Sequence, residues 1–152
     1  MSTPVLRTDG GSRGNPGPAG AGFVIERDGV IVCEAGYFLG DATNNVAEYS
    51  ALIWGLQNVL ALGSDTVAVR ADSELLVRQI NGRYRVKNEG LKPLFLEALA
   101  LLKRFRAFEV AHVRREENSE ADRLANQAMD ERTTVGDPLC PPGGPQDQPT
   151  LF

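Results

Sequence analysis

Four acidic residues, Asp9, Glu48, Asp72 and Asp122, lie far apart in the chain, yet each falls where a strand ends or a helix begins. Carboxylates brought to one point repel one another unless a cation joins them. Oxygen donors without a companion set of His and Cys suit a hard ion such as Mg²⁺ or Mn²⁺ rather than zinc. Two such ions a few ångströms apart activate a water and stabilise the leaving oxygen of a phosphodiester. The chemistry indicated is metal-assisted phosphoryl transfer to water. Each residue also has a plainer role open to it. Asp9-Gly10 fits a turn, Asp72 fits the cap of the helix that follows, and Glu48 fits an exposed helix face. Asp122 completes Ser119-x-x-Asp122, which is close to a capping box.

The elements that would gather these residues can be read from periodicity. Residues 5–8 read as a short buried strand running into the loop DGGSRGNPGPAG. Residues 21–26 and 30–38 read as two strands joined at Arg27-Asp28-Gly29, a hairpin signal. Residues 44–62 form the clearest helix, with Val46, Tyr49, Ile53, Leu56 and Leu60 on one face. Thr43 is its expected N-cap and Gly63 its stop. A strand at 66–71, a short helix at 73–81 and a basic connector at 83–90 follow. Then come a helix at 91–105 with Pro93 in its first turn, a strand at 108–113 and a helix at 119–131. Leu124, Ala125, Ala128 and Met129 form the expected buried side of that last helix. Strands first and helices between later strands give an α/β fold, a mixed sheet flanked by helices. If the first and fourth strands are neighbours, Asp9 and Asp72 stand side by side.

A chain of 152 residues, 42% of them apolar, supports one domain. The domain is expected over residues 1–132, with a Pro/Gly-rich disordered tail over 133–152. No apolar run reaches the length of a membrane span and no signal peptide is visible, so a cytoplasmic monomer is expected. Cys33 and Cys140 have neither metal-site nor disulfide-framework spacing and read as a core thiol and a tail thiol. The net charge of −4 argues against a nucleic-acid binder, but its distribution does not. Arg78, Arg83, Arg85, Lys87, Lys103 and Arg104 belong to a basic stretch between residues 70 and 115. A local basic surface attracts phosphates while the whole molecule stays acidic. GGSRGNPGPAG lacks the Gly-Lys-[Ser/Thr] phosphate cradle and is not followed directly by a helix, which argues against a nucleotide-binding loop.

The blocks TDGGSRGNPGPAG, TNNVAEYSAL, ADSELLVRQI and ENSEADRLANQAM resemble, in order, the signature blocks of the ribonuclease HI family. The resemblance runs from Val5 to about Asp130. It implies a five-stranded mixed sheet whose first three strands are antiparallel. It also implies endonucleolytic cleavage of the RNA strand of RNA–DNA hybrids by two metal ions, leaving a 5′-phosphate and a 3′-hydroxyl. Asp9, Glu48, Asp72 and Asp122 match the family's metal ligands, for Mg²⁺ or alternatively Mn²⁺. Gly11, Asn15, Asn44 and Asn45 match positions that touch the hybrid from its minor groove, and Thr43 matches a phosphate contact. Short amides and backbone groups suit the reading of 2′-hydroxyls in a wide, shallow groove.

The chain departs from the family pattern in three places. QINGRYRVKNEGLKPL is short and lacks the Trp of the basic protrusion, so the chain resembles the compact subgroup, with Arg83, Arg85 and Lys87 as partial substitutes. Asp41 stands where many members keep an Arg near the phosphate contact. Many members use a His before the last Asp in product release, whereas compact members use an Arg seven residues before it, which here is Arg115. His112, the single histidine, then reads as strand-end scaffolding or a pocket wall. The chain ends QPTLF, and Gln148, Leu151 and Phe152 resemble the short motif that binds the bacterial sliding clamp. Two other readings stay open: a catalytically silent hybrid- or dsRNA-binding module, and another nuclease or integrase on the same fold. Retention of all four carboxylates argues against the first, and Asn44-Asn45 with the GNPG loop against the second.

Overall fold

The computed structural model describes residues 2–140. β1 (Val5–Ser12), β2 (Gly17–Arg27) and β3 (Val30–Ala42) form an antiparallel meander. The β2–β3 turn falls at Asp28 and Gly29, both with positive φ, as the hairpin signal predicts. α1 (Asn44–Ala61) leads to β4 (Thr66–Ala71) and α2 (Glu74–Ile80). α3 (Lys92–Leu102) and β5 (Ala107–His112) follow, then a 3₁₀ turn (Arg115–Asn118), α4 (Ser119–Glu131) and the short β6 (Val135–Gly136). The sheet order is β5-β4-β1-β2-β3-β6, with β4 parallel to both β1 and β5.

Side-chain alternation divides the sheet into two faces. Leu6, Phe23 and Ile25 join Leu52, Leu56, Leu76 and Leu102 in the main core, beneath α1, α2 and α3. Val24 points the other way and packs with Ala121, Leu124 and Ala128 of α4. α1 is therefore buried between the sheet and α3, and its apolar stripe is broader than the one read from spacing. It carries twelve buried residues, among them Asn58.

Two expectations change. The segment read as a long loop is largely strand: β1 runs to Ser12 and β2 starts at Gly17, so only residues 13–16 connect them. Backbone pairing requires no side chain, and the glycines of this stretch pair as well as any residue. The sheet also has six strands rather than five, because β6 pairs with Ala35 and Gly36 of β3.

The described chain continues on the fold past residue 132. Asn58, fully buried, accepts from the backbone N–H of Leu139 at 2.7 Å and of Cys140 at 3.1 Å. Its own amide donates to Tyr37 Oη, and that hydroxyl donates to the Cys140 carbonyl. A lone Asn inside an apolar helix pattern gives no sign of its distant partners. No helix among the described residues is long and apolar enough to cross a membrane.

Candidate active site

The parallel pairing of β1 with β4 ends at Thr8 opposite Ala71. Asp9 and Asp72 are the next residue on each strand, and neighbouring strands lie about 4.8 Å apart. Sheet register alone therefore places these two carboxylates side by side. β1 continues past this point against β2, where Asp9 pairs with Gly22.

Glu48 reaches the same place because α1 starts directly on β1. A Cβ at Gly10 would lie 2.3 Å from the Ala47 carbonyl oxygen, so only glycine permits the contact. α4 approaches from the opposite face by the same device. A Cβ at Gly22 would lie 2.2 Å from the Ala121 carbonyl oxygen, and Gly20 and Gly36 meet α4 backbone as closely. Asp122, next to Ala121, is thereby brought to Asp9.

Three helpers fix these positions. Ser73, not Asp72, caps α2: its hydroxyl oxygen accepts from the Leu76 N–H at 3.2 Å, and its side chain hydrogen-bonds Glu48. Asp72 is thus left to the site. Asn118 is buried, and its amide donates to the Thr8 carbonyl at 2.7 Å, fastening the start of α4 beside Asp9. Asn126 donates to Asp122 Oδ1 at 3.3 Å. Asp122 itself caps nothing; Asn118 occupies the N-cap position of α4. Sequence reading assigned Ser73, Asn118 and Asn126 no role. All three lie inside the motif blocks, but their partners lie on other elements or depend on exact helix boundaries.

Electrostatics show what the cluster lacks. The Asp9 carboxyl is pushed up from about 3.8 to about 9, first by burial, then by the charges of Asp72 and Asp122 and by hydrogen bonds to both. Glu48 rises to about 7, chiefly through burial, with the Ser73 hydrogen bond opposing the rise and Asp72 adding to it. Near neutral pH, Asp9 therefore keeps a proton and Glu48 is partly protonated. A divalent cation would also offset the clustered charge, and an all-oxygen donor set fits a hard one. Among the described residues no three such donors already converge at bound-ion spacing. Asp72 and Asp122 instead gather around Asp9, with Glu48 near Asp72, and a cation would take the place of the Asp9 proton.

The carboxylates open into a cleft of about 550 Å³. Gly11, Asn44 and Asn45 line it together with Asp9, Glu48, Asp72 and Asp122. Asn44 and Asn45 are exposed. Asn44 Oδ1 accepts from the Ser12 N–H at 2.8 Å, and the Asn44 N–H donates to Asn15 Oδ1 at 3.0 Å. Asn15 and Thr43 support this wall rather than lining it. The Thr43 hydroxyl caps α1 as predicted, accepting from the Val46 N–H. Arg115 lines the cleft, whereas His112 faces a separate groove beyond α2. Asp41 is exposed near the end of β3. Gln148, Leu151 and Phe152 lie outside the described residues.

Comparison with known proteins agrees with this geometry. A family model described as "Reverse transcriptase-like" matches residues 7–128. The bifunctional protein Rv2228c of Mycobacterium tuberculosis is 48% identical over 128 residues, which cover 83% of this chain and 35% of that protein. The chain thus spans about a third of the length of such curated relatives. The crystal structure of RNase H1 from Halobacterium salinarum superposes with a TM-score of 0.83 at 41% identity, covering 86% of this chain and 99% of that one. LC11-RNase H1, solved in complex with RNA/DNA hybrid, superposes with a TM-score of 0.81 at 42% identity over 86% and 99% of the two chains. With its β1–β4 register, its glycine-seated helices and these similarities along nearly the whole described chain, the protein belongs to the ribonuclease HI family.

Proposed function

We propose that this chain is an endonuclease that hydrolyses the RNA strand of RNA–DNA hybrids, leaving a 5′-phosphate and a 3′-hydroxyl. The observation that carries the reading is a single cleft lined by all four carboxylates and by exposed amides at the start of α1. The hybrid bound by LC11-RNase H1 supports the choice of substrate.

Asp9, Glu48, Asp72 and Asp122 would hold two divalent cations, Mg²⁺ or in its place Mn²⁺. When bound, these supply Lewis-acid stabilisation of charge on the attacking and leaving oxygens. The chain's own groups do the remaining work. The Gly11 backbone and the Asn44 and Asn45 amides face the minor groove and select strands that carry 2′-hydroxyls. Asn15 holds Asn44 in place, and the Thr43 end of α1 takes a flanking phosphate. Arg115, at the wall of the cleft, holds the phosphate oxygens of the departing strand and assists its release; His112 faces away from the reacting groups. A silent binding module gains nothing from a negative cluster facing phosphates.

The reading includes a monomeric, cytoplasmic enzyme tethered to the sliding clamp through Gln148, Leu151 and Phe152. Clamp capture with and without Leu151-Phe152 tests the tether, and equal recovery would remove it. The deciding experiment for the activity is cleavage of labelled hybrid, double-stranded RNA and double-stranded DNA with Mg²⁺, Mn²⁺ or chelator, beside the Asp9→Asn variant. Metal-dependent cutting of hybrid that the variant lacks is expected. Metal-independent cutting, or a fully active variant, would overturn the proposal.

A further inference from the structure

The two cysteines, which show no framework spacing in the sequence, are brought together by the segment that follows β6. The Asp137 N–H donates to the Glu34 carbonyl at 3.1 Å, so the segment leaves the sheet beside β3. Further along, the Cys140 N–H donates to Asn58 Oδ1 on α1 at 3.1 Å. Residues 137–140 therefore form a strap from β3 to α1.

Cys33 lies against both ends of this strap. Its side chain belongs to the main core and is 7% exposed. Its Sγ lies 3.6 Å from the Asp137 carbonyl oxygen at one end and 3.9 Å from Asn58 Oδ1 at the other. Asn58 Oδ1 thus touches both the sulfur of Cys33 and the backbone nitrogen of Cys140. The Tyr37 hydroxyl adds a further tie by donating to the Cys140 carbonyl at 3.0 Å. Burial is the main cause that raises the Cys33 thiol; the Leu139 backbone opposes it, and charge on Cys140 adds to the rise. A disulfide tolerates a narrow range of Cα separations, and these two residues already share a contact atom.

The pair is asymmetric. Cys140 is half-buried, and its Sγ lies 3.7 Å from the Gln57 carbonyl oxygen. Rotation about its Cα–Cβ bond redirects that sulfur without moving the strap backbone. Cys33 is closed off from solvent. A small oxidant therefore meets Cys140 first, and Cys33 stands as the thiol that resolves the product.

We propose that Cys33 and Cys140 form a modification site, a dithiol that a peroxide converts to a disulfide pinning the strap to β3. The Cys140 thiolate attacks one oxygen of hydrogen peroxide. The O–O bond breaks, leaving a Cys140 sulfenic acid and, once protonated, one water. The Cys33 sulfur gives up its proton and attacks the Cys140 sulfur; the S–O bond breaks and a second water leaves. Two thiols lose two electrons, and one peroxide is reduced to two waters. Burial raises the Cys140 thiol as well, so little thiolate forms and the pair answers sustained rather than brief exposure. Neither cysteine lines the carboxylate cleft, so the change falls on the stability of the chain and not on the reacting groups.

The test treats the full chain with hydrogen peroxide and then blocks the remaining thiols with an alkylating agent. Unreduced peptides are analysed by mass spectrometry, beside thermal melts. The unmodified chain should yield one peptide pair joined through Cys33 and Cys140. Its Tm should rise by several degrees and fall back with dithiothreitol, as expected for a closed loop of this length. Cys140→Ser should give neither the pair nor the rise. Cys33→Ala should let Cys140 proceed to the sulfinic acid, because the resolving thiol is gone. Two thiols that both stay open to alkylation would overturn the site. So would disulfide-linked dimers as the main product, Cys140 sulfinic acid as the main product of the unmodified chain, or an equal Tm rise in Cys140→Ser.

Discussion

Gly10 and Ala47 meet backbone to backbone, with 2.3 Å between the Ala47 oxygen and any Cβ added at Gly10. This contact sets how closely Glu48 stands to Asp9. Gly10→Ala must lift α1 from β1, and overpacking of this kind costs about 1–3 kcal/mol. A lower Tm and weaker Mg²⁺ binding by calorimetry are both expected. A variant with parental Tm and metal affinity would show that the contact does not set the site.

Asp9 links the pH to the stability of the metal-free chain. Its folded value of about 9 lies far above the ordinary 3.8, so the folded chain keeps a proton that the unfolded chain releases. The resulting stabilisation is complete below the ordinary value and is lost as pH rises through the folded value. Thermal melts in chelator should show Tm falling across this window, and Asp9→Asn should flatten the fall. Mg²⁺ should raise Tm most at the alkaline end. An identical slope in parent and variant would contradict the assignment.

Ser73 serves two elements at once, capping α2 and bonding Glu48. Ser73→Ala should cost about 1 kcal/mol of stability for the lost cap. Because the bond lowers the Glu48 value, its loss should also move the acid limb of the pH–rate profile towards higher pH. A stability loss with an unmoved profile would confine Ser73 to capping.

Arg115 and His112 line different depressions, and only Arg115 lines the carboxylate cleft. Arg115→Ala should lower kcat by about a hundredfold, the scale for losing a positioned charge donor. His112→Ala should leave kcat nearly unchanged, because His112 lies outside that cleft. If only the His112 change lowers kcat, the two roles are reversed.

Much of this was legible in the sequence because strand ends and helix starts announce themselves locally. Thr43, Gly63 and the Asp28-Gly29 turn carry their own signals, and the motif blocks located the four carboxylates. Other features depend on partners distant in the chain. Gly20 reads as a loop residue and Gly22 and Gly36 as ordinary strand positions, yet all three are the floor on which α4 rests. Asn118 and Asn58 look like ordinary polar residues until Thr8 in one case, and Leu139 with Cys140 in the other, come within reach. β6 escaped notice because two residues bear no periodicity at all.

The β1–β4 register also limits how this chain can vary in length. Asp9 and Asp72 meet because each follows the last residue of the same parallel pairing. Inserting or deleting one residue before Asp9 within β1 would turn its side chain to the opposite face of the sheet. Substitutions in β1 and β4 can be absorbed one by one, but a shift of one residue would break up the cluster in a single step. Divergence by insertion and deletion is thereby directed into the connections, such as residues 81–91, whose length can change while the carboxylates stay in place.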